Sequence, residues 1–140
     1  MIGETHRVNF ALGPDARLLR AVSAAIAFLG DEAGFEPADA QNLGAAAELA
    51  CEHGFPQLTA ESPQLSVIVE TFSDRLEITL GHHGESAPAV GLATFASQGG
   101  AERAHGLALL RSFDRVQYDS SAGMARTRLV KYLHRTPPHP

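Results

Sequence analysis

The chain has 140 residues and a mass of 14.8 kDa, room for one domain with a self-sufficient core. Hydrophobic residues make up 44% and charged residues 19%, the balance of an ordinary globular protein. Net charge is −5, which argues against non-specific nucleic-acid binding, and a single cysteine, Cys51, excludes a disulfide framework or a multi-cysteine zinc site.

The longest uninterrupted apolar run, Ala24 to Leu29, is too short to cross a bilayer. The opening residues show no charged leader with an apolar segment and cleavage site, so a cytoplasmic location is expected. The charge is split along the chain. Residues 1–100 carry 4 basic and 13 acidic groups, whereas residues 101–140 carry 7 basic and 3 acidic groups.

Arg7 to Leu12 alternates polar and apolar, the period of a half-buried strand. Gly13-Pro14-Asp15 breaks it and favours a helix start. Leu18, Leu19, Val22, Ile26 and Leu29 then form a helical stripe, with Gly30 and Gly34 bracketing its end. Phe35 to Asp39 opens a second, alanine-rich helix that runs to about Cys51 and closes at His53-Gly54-Phe55-Pro56. Leu65 to Phe72 is β-branched and reads as a strand. Arg75 to Leu80 alternates cleanly and completes an antiparallel hairpin.

Gly81 to Arg103 has no sustained period, and a loop of that length points to function or mobility. His105 to Phe113 reads as a helix. Val116 to Tyr118 and Ala125 to Leu133 read as two strands around a turn at Ser121-Ala122-Gly123. The tail from residue 136 to 140 is expected to be disordered, leaving residues 1–135 as a single domain. The order β-α-α-β-β-loop-α-β-β predicts an α+β fold. It is a two-layer α/β sandwich in which helices cover one face of a mixed, mostly antiparallel sheet.

His105-Gly106-Leu107-Ala108-Leu109-Leu110-Arg111-Ser112-Phe113-Asp114-Arg115-Val116-Gln117-Tyr118, then Gly123, then Arg128-Leu129-Val130-Lys131-Tyr132-Leu133, resembles the end of bacterial anti-sigma-factor serine kinases. These belong to the histidine-kinase-like (GHKL) ATPases, and the predicted element order is similar to theirs. The resemblance is specific in residues 104–133 and extends more loosely over most of the chain. It implies ATP held by three sequence boxes. The first lies on the second helix, with a glutamate as general base and, four residues on, an asparagine that binds Mg²⁺. His53-Gly54-Phe55 looks like that helix's ending, which puts Ala45 at the glutamate position and Leu49 at the asparagine position. Neither side chain can bind a hard cation or take a proton. An alternative frame, with a shortened helix end, makes Glu48 the catalytic base and places Glu52 at the asparagine position.

The second box normally carries an aspartate that reads the adenine amino group. His82 stands there, and Gly84 keeps the turn glycine. The third box, a phosphate cradle at a helix N-terminus, is reduced to Ala104-His105-Gly106-Leu107. The nucleotide-binding candidates are therefore Glu52, His53, His82, Gly84, His105, Gly106 and Leu107.

By resemblance the protein is a regulator of a bacterial partner-switching system with a degenerate nucleotide site. It would form a homodimer and bind a sigma factor, a STAS-type anti-anti-sigma antagonist, or both, with no nucleic-acid or membrane partner. No cofactor is then expected, with ATP and Mg²⁺ implied only if the site works. In that case the protein would be an active serine kinase acting on the antagonist. If Ala45 and Leu49 fill the expected adenine cleft, ATP is excluded; otherwise the cleft stands open and polar.

A third reading is a metal- or small-ligand-binding domain built on His82, His83 and the loop to Arg103. The plainer reading of those two histidines is a solvated loop, and no metal residues are assigned. Cys51 reads as a small buried residue. The arginines Arg103, Arg111, Arg115, Arg126 and Arg128 suit either a patch for an acidic partner or a solvated sheet face.

Overall fold

The computed structural model describes residues 5–60, 63–83, 111–121 and 123–133. Strand β1 (His6–Leu12) leads into helices α1 (Ala16–Ala33) and α2 (Pro37–Gly54), followed by a short 3-10 turn (Phe55–Gln57). Strands β2 (Leu65–Thr71), β3 (Arg75–His83), β4 (Arg115–Ser121) and β5 (Met124–Tyr132) complete the sheet. Their order is β1-β2-β3-β5-β4, and all four pairings are antiparallel. The fold is α+β, two helices against one face of this sheet. The expected loop 84–103, the helix start at His105 and the tail lie outside the described residues.

Local chemistry explains the elements. The Asp15 side chain accepts the Arg17 backbone N–H at 2.9 Å and caps α1, and the Arg17 guanidinium holds the Asp15 carboxyl below its usual range. Gly34 ends the helix at φ 109°, a left-handed conformation that side chains resist, with its N–H donating to Asp31 O. Pro37 opens α2, where a missing N–H costs nothing. In β3, Leu76, Ile78 and Leu80 turn inward, while Glu77 and Thr79 lie on the open face.

The core is one contiguous cluster of inward residues from α1, α2 and the strands, with Ile26, Leu43, Leu65, Leu76, Ile78 and Leu129 fully buried. Each such side chain contributes roughly 1.5–3 kcal/mol. The alanines of α2 at 40, 47 and 50 lie inside it, so small side chains set the spacing of helix on sheet.

Two expectations change. The stripe on α1 is carried by Leu19, Val22, Ile26 and Gly30, whereas Leu18 is exposed. Strand β3 runs three residues beyond Leu80, because β5 pairs with Gly81, His82 and His83 through Arg126, Ala125 and Met124.

Candidate functional site

One face of α2 beside its buried stripe carries Asp39, Asn42, Ala45 and Leu49, successive at three or four residues and therefore aligned. These residues line a cleft of about 380 Å³. Leu43 and Ala46 form part of its floor, and Arg111, Ser112 and Lys131 form the other wall. The volume is within the range of small-ligand sites.

Asp114 fixes that second wall. Its backbone N–H donates to Val130 O at 2.8 Å, and its carboxylate accepts the Tyr132 backbone N–H at 2.8 Å. The Lys131 ammonium lies 3.6 Å from the same carboxylate, and Phe113 beside it is buried. The residues that carry Arg111 and Ser112 are thus tied to β5. The cleft sets two cations, Arg111 and Lys131, across from the acid and amide of Asp39 and Asn42.

Ala45 is exposed and Leu49 half-buried, so both line the cleft and neither fills it. The two positions that the resemblance assigns to base and magnesium ligand face an open cleft, but its lining is more apolar than polar, unlike the polar cleft expected of a working site. They bring a methyl and an isobutyl group to it. Glu48 and Glu52 are not among the lining residues; Glu48 is half-buried and Glu52 exposed. Both act instead on Cys51, whose thiol is pushed up to about 12, first by burial and then by their negative charge. That thiol is inert at neutral pH.

His53 lies in the last turn of α2, and its side chain is outside the described residues. Gly84, His105, Gly106 and Leu107 also lie outside them. His82 overturns the solvated-loop reading: it is 2% exposed, on the core face of β3. Its Nδ1 lies 3.3 Å from His83 O, and its Nε2 has no partner among the described residues. His83 is exposed on the other side of the strand, so the pair does not converge on one ion. Among the described residues no three His, Cys, Asp or Glu side chains gather as metal ligands.

The arginines resolve in part. Arg126 and Arg128 lie on the open face of the sheet, 46% and 54% exposed. Arg128 is 3.6 Å from Glu77, which also accepts Arg75 at 2.6 Å, and Arg126 is 4.0 Å from Asp119. Arg75 also stacks over Phe72, 4.0 Å from the ring centre. These cations are internally matched across strands β3, β5 and β4. Of the four described arginines of that set, Arg111 alone lines the cleft; Arg103 lies outside the described residues.

Asp39, Asn42 and Lys131 did not emerge as candidates from the sequence. Their signal was available, since Asn42 precedes Ala45 by three residues and Leu49 by seven, one helical face. No helix among the described residues is long and apolar enough to cross a membrane. No family model matches the chain, and no curated protein matches it at a significant level.

Proposed function

We propose that the protein is an anti-sigma-factor-like regulator of a partner-switching system, built on a kinase-type scaffold whose nucleotide site has lost its catalytic groups. The observation that carries this reading is the pair Ala45 and Leu49 facing the cleft. A phosphoryl-transfer site needs a proton acceptor and oxygen ligands for Mg²⁺ at those places. Glu48 and Glu52, the substitutes in the other frame, are not among the residues that line the cleft. Asp39 lines the same cleft but sits six residues before Ala45, in the first turn of α2, where an acid favours the helix end.

On this reading the protein binds its partners without turning over ATP. The partners are a sigma factor and a STAS-type antagonist, and they compete for it by concentration alone. The test is calorimetry with ATP and Mg²⁺, followed by binding to the sigma factors and STAS-type proteins of the same genome. The expected result is no nucleotide binding tighter than about 100 μM, roughly −5.5 kcal/mol, and a stable complex whose affinity ATP leaves unchanged. Phosphate transfer to a STAS-type serine would overturn the loss of catalysis. Absence of binding to every sigma and STAS-type protein would overturn the partner assignment.

A further inference from the structure

The open face of the sheet, on the side away from the helices, carries a hollow of about 530 Å³, larger than the cleft. Thr79 on β3, Arg126 and Arg128 on β5, and Gln117 and Asp119 on β4 line it. The strand register sets these side chains in two rows. Arg128 stands between Thr79 on one side and Gln117 on the other, and Arg126 stands opposite Asp119. Directly opposed side chains on neighbouring strands are about 4.5–5.5 Å apart at Cβ, so the hydroxyl, the guanidinium and the amide form one contiguous group. Arg126 joins it because side chains two apart on a strand share a face.

Both guanidiniums keep N–H donors that no carboxylate uses. Glu77 stands 3.6 Å from Arg128, and Asp119 stands 4.0 Å from Arg126, each beyond hydrogen-bond length. Glu77 is engaged elsewhere, since it accepts Arg75 Nε at 2.6 Å. Arg126 makes one further polar contact among the described residues, to the Met124 sulfur at 3.9 Å. The match of charges across the strands thus balances the cations at a distance and leaves their hydrogen-bonding forks open.

A neighbouring hollow shares Gln117 and Arg128 and adds Arg75 and Arg115 with Asp74 and Glu77. Among the described residues the two hollows are lined by four arginines and three carboxylates, in a chain whose net charge is −5. Every cation there is arginine, whose planar fork grips two oxygens of one anion, and none is lysine.

Two such forks beside two neutral donors suit a dianion with several oxygens. A phosphate monoester is that species, with a charge of roughly −1.5 to −2 at neutral pH. Asp119 adds a carboxylate at one end of the hollow, where it repels a second anionic group and accepts a hydroxyl. We infer that this hollow binds a small hydroxylated phosphate monoester, with Arg126 and Arg128 clamping the phosphoryl oxygens, Thr79 and Gln117 donating to them, and Asp119 accepting from the organic part. The inference stands on the open face alone and does not depend on the state of the cleft.

The test is calorimetry in a phosphate-free buffer of low ionic strength, with glycerol phosphate as the probe, inorganic phosphate for comparison, and circular dichroism to check folding. The wild type is expected to bind glycerol phosphate saturably, below millimolar, and more tightly than inorganic phosphate. Arg126→Gln and Arg128→Gln each weaken binding about tenfold, the weight of one charge-assisted hydrogen bond. Asp119→Ala removes the preference for glycerol phosphate. Arg7→Gln, at an exposed site on β1, leaves binding unchanged. Amide NMR shifts on titration fall at Thr79, Gln117, Arg126 and Arg128. Absence of saturable binding, indifference to both β5 variants, an equal loss in Arg7→Gln, or shifts confined to Asn42 and Leu49 on α2 would each overturn the inference. A phosphoserine peptide that binds more tightly than glycerol phosphate would assign the hollow to a phosphorylated protein and overturn the small-ligand reading.

Discussion

Cys51 sits fully buried in the core face of α2, flanked in sequence by Ala50 and Glu52. Its thiol ionises at about 12 in the fold against 9.0 in an open chain. The folded protein therefore keeps a proton that the unfolded chain releases above pH 9. The stability this confers is complete below pH 9 and drains away as the pH rises from 9 toward 12, up to roughly 4 kcal/mol at full titration. Urea unfolding of the wild type should lose stability steeply above pH 9. Cys51→Ala, whatever its stability at pH 7, should show a shallower slope over the same interval. Equal slopes would place the thiol in contact with water. At this scale the sequence was readable for Cys51, since a lone cysteine on a helix is most often a small buried residue. It was not readable for His82. A strand that continues through a glycine depends on what its neighbour does, and that neighbour, Ala125, is 43 residues away.

Between α1 and α2 the decisive residue is Gly44. A Cβ there would lie 2.4 Å from Ser23 O, a backbone atom that cannot rotate aside. Gly44→Ala should cost about 1–3 kcal/mol from overpacking, offset in part by about 1 kcal/mol of helix propensity. The net loss is measurable as a lower urea midpoint at an unchanged slope. A stabilised variant would show that the helices have room to separate. Elements with strong periodicity were legible in the sequence: the alternation of Arg75 to Leu80 and the stripe through Val22 and Ile26 fix two of them. The cleft was half legible. Ala45 and Leu49 were found through the spacing of a resembling motif. Asp39 and Asn42 share their helix face but belong to no motif. Lys131 reaches the cleft only because β5 lies inside the sheet, a fact of topology that no local pattern contains.

For the whole molecule, α1, α2 and the strands contribute to one core cluster, and neither layer can bury its apolar face without the other. Unfolding should therefore be a single transition. In urea, far-UV circular dichroism and tyrosine fluorescence should give coincident curves with a slope of about 1–3 kcal/mol/M. Two separated midpoints would show helices and sheet holding together independently.

The place of β5 has a consequence during synthesis. It is the last described strand in the chain, yet it is inserted between β3 and β4, and β4 pairs with no other described strand. Until residue 132 has left the ribosome, β3 and β4 both lack the partner that β5 provides. A nascent chain or a truncated product thus exposes unpaired backbone at the centre of its sheet, a template for pairing with other chains. That exposure ends only when the keystone strand arrives.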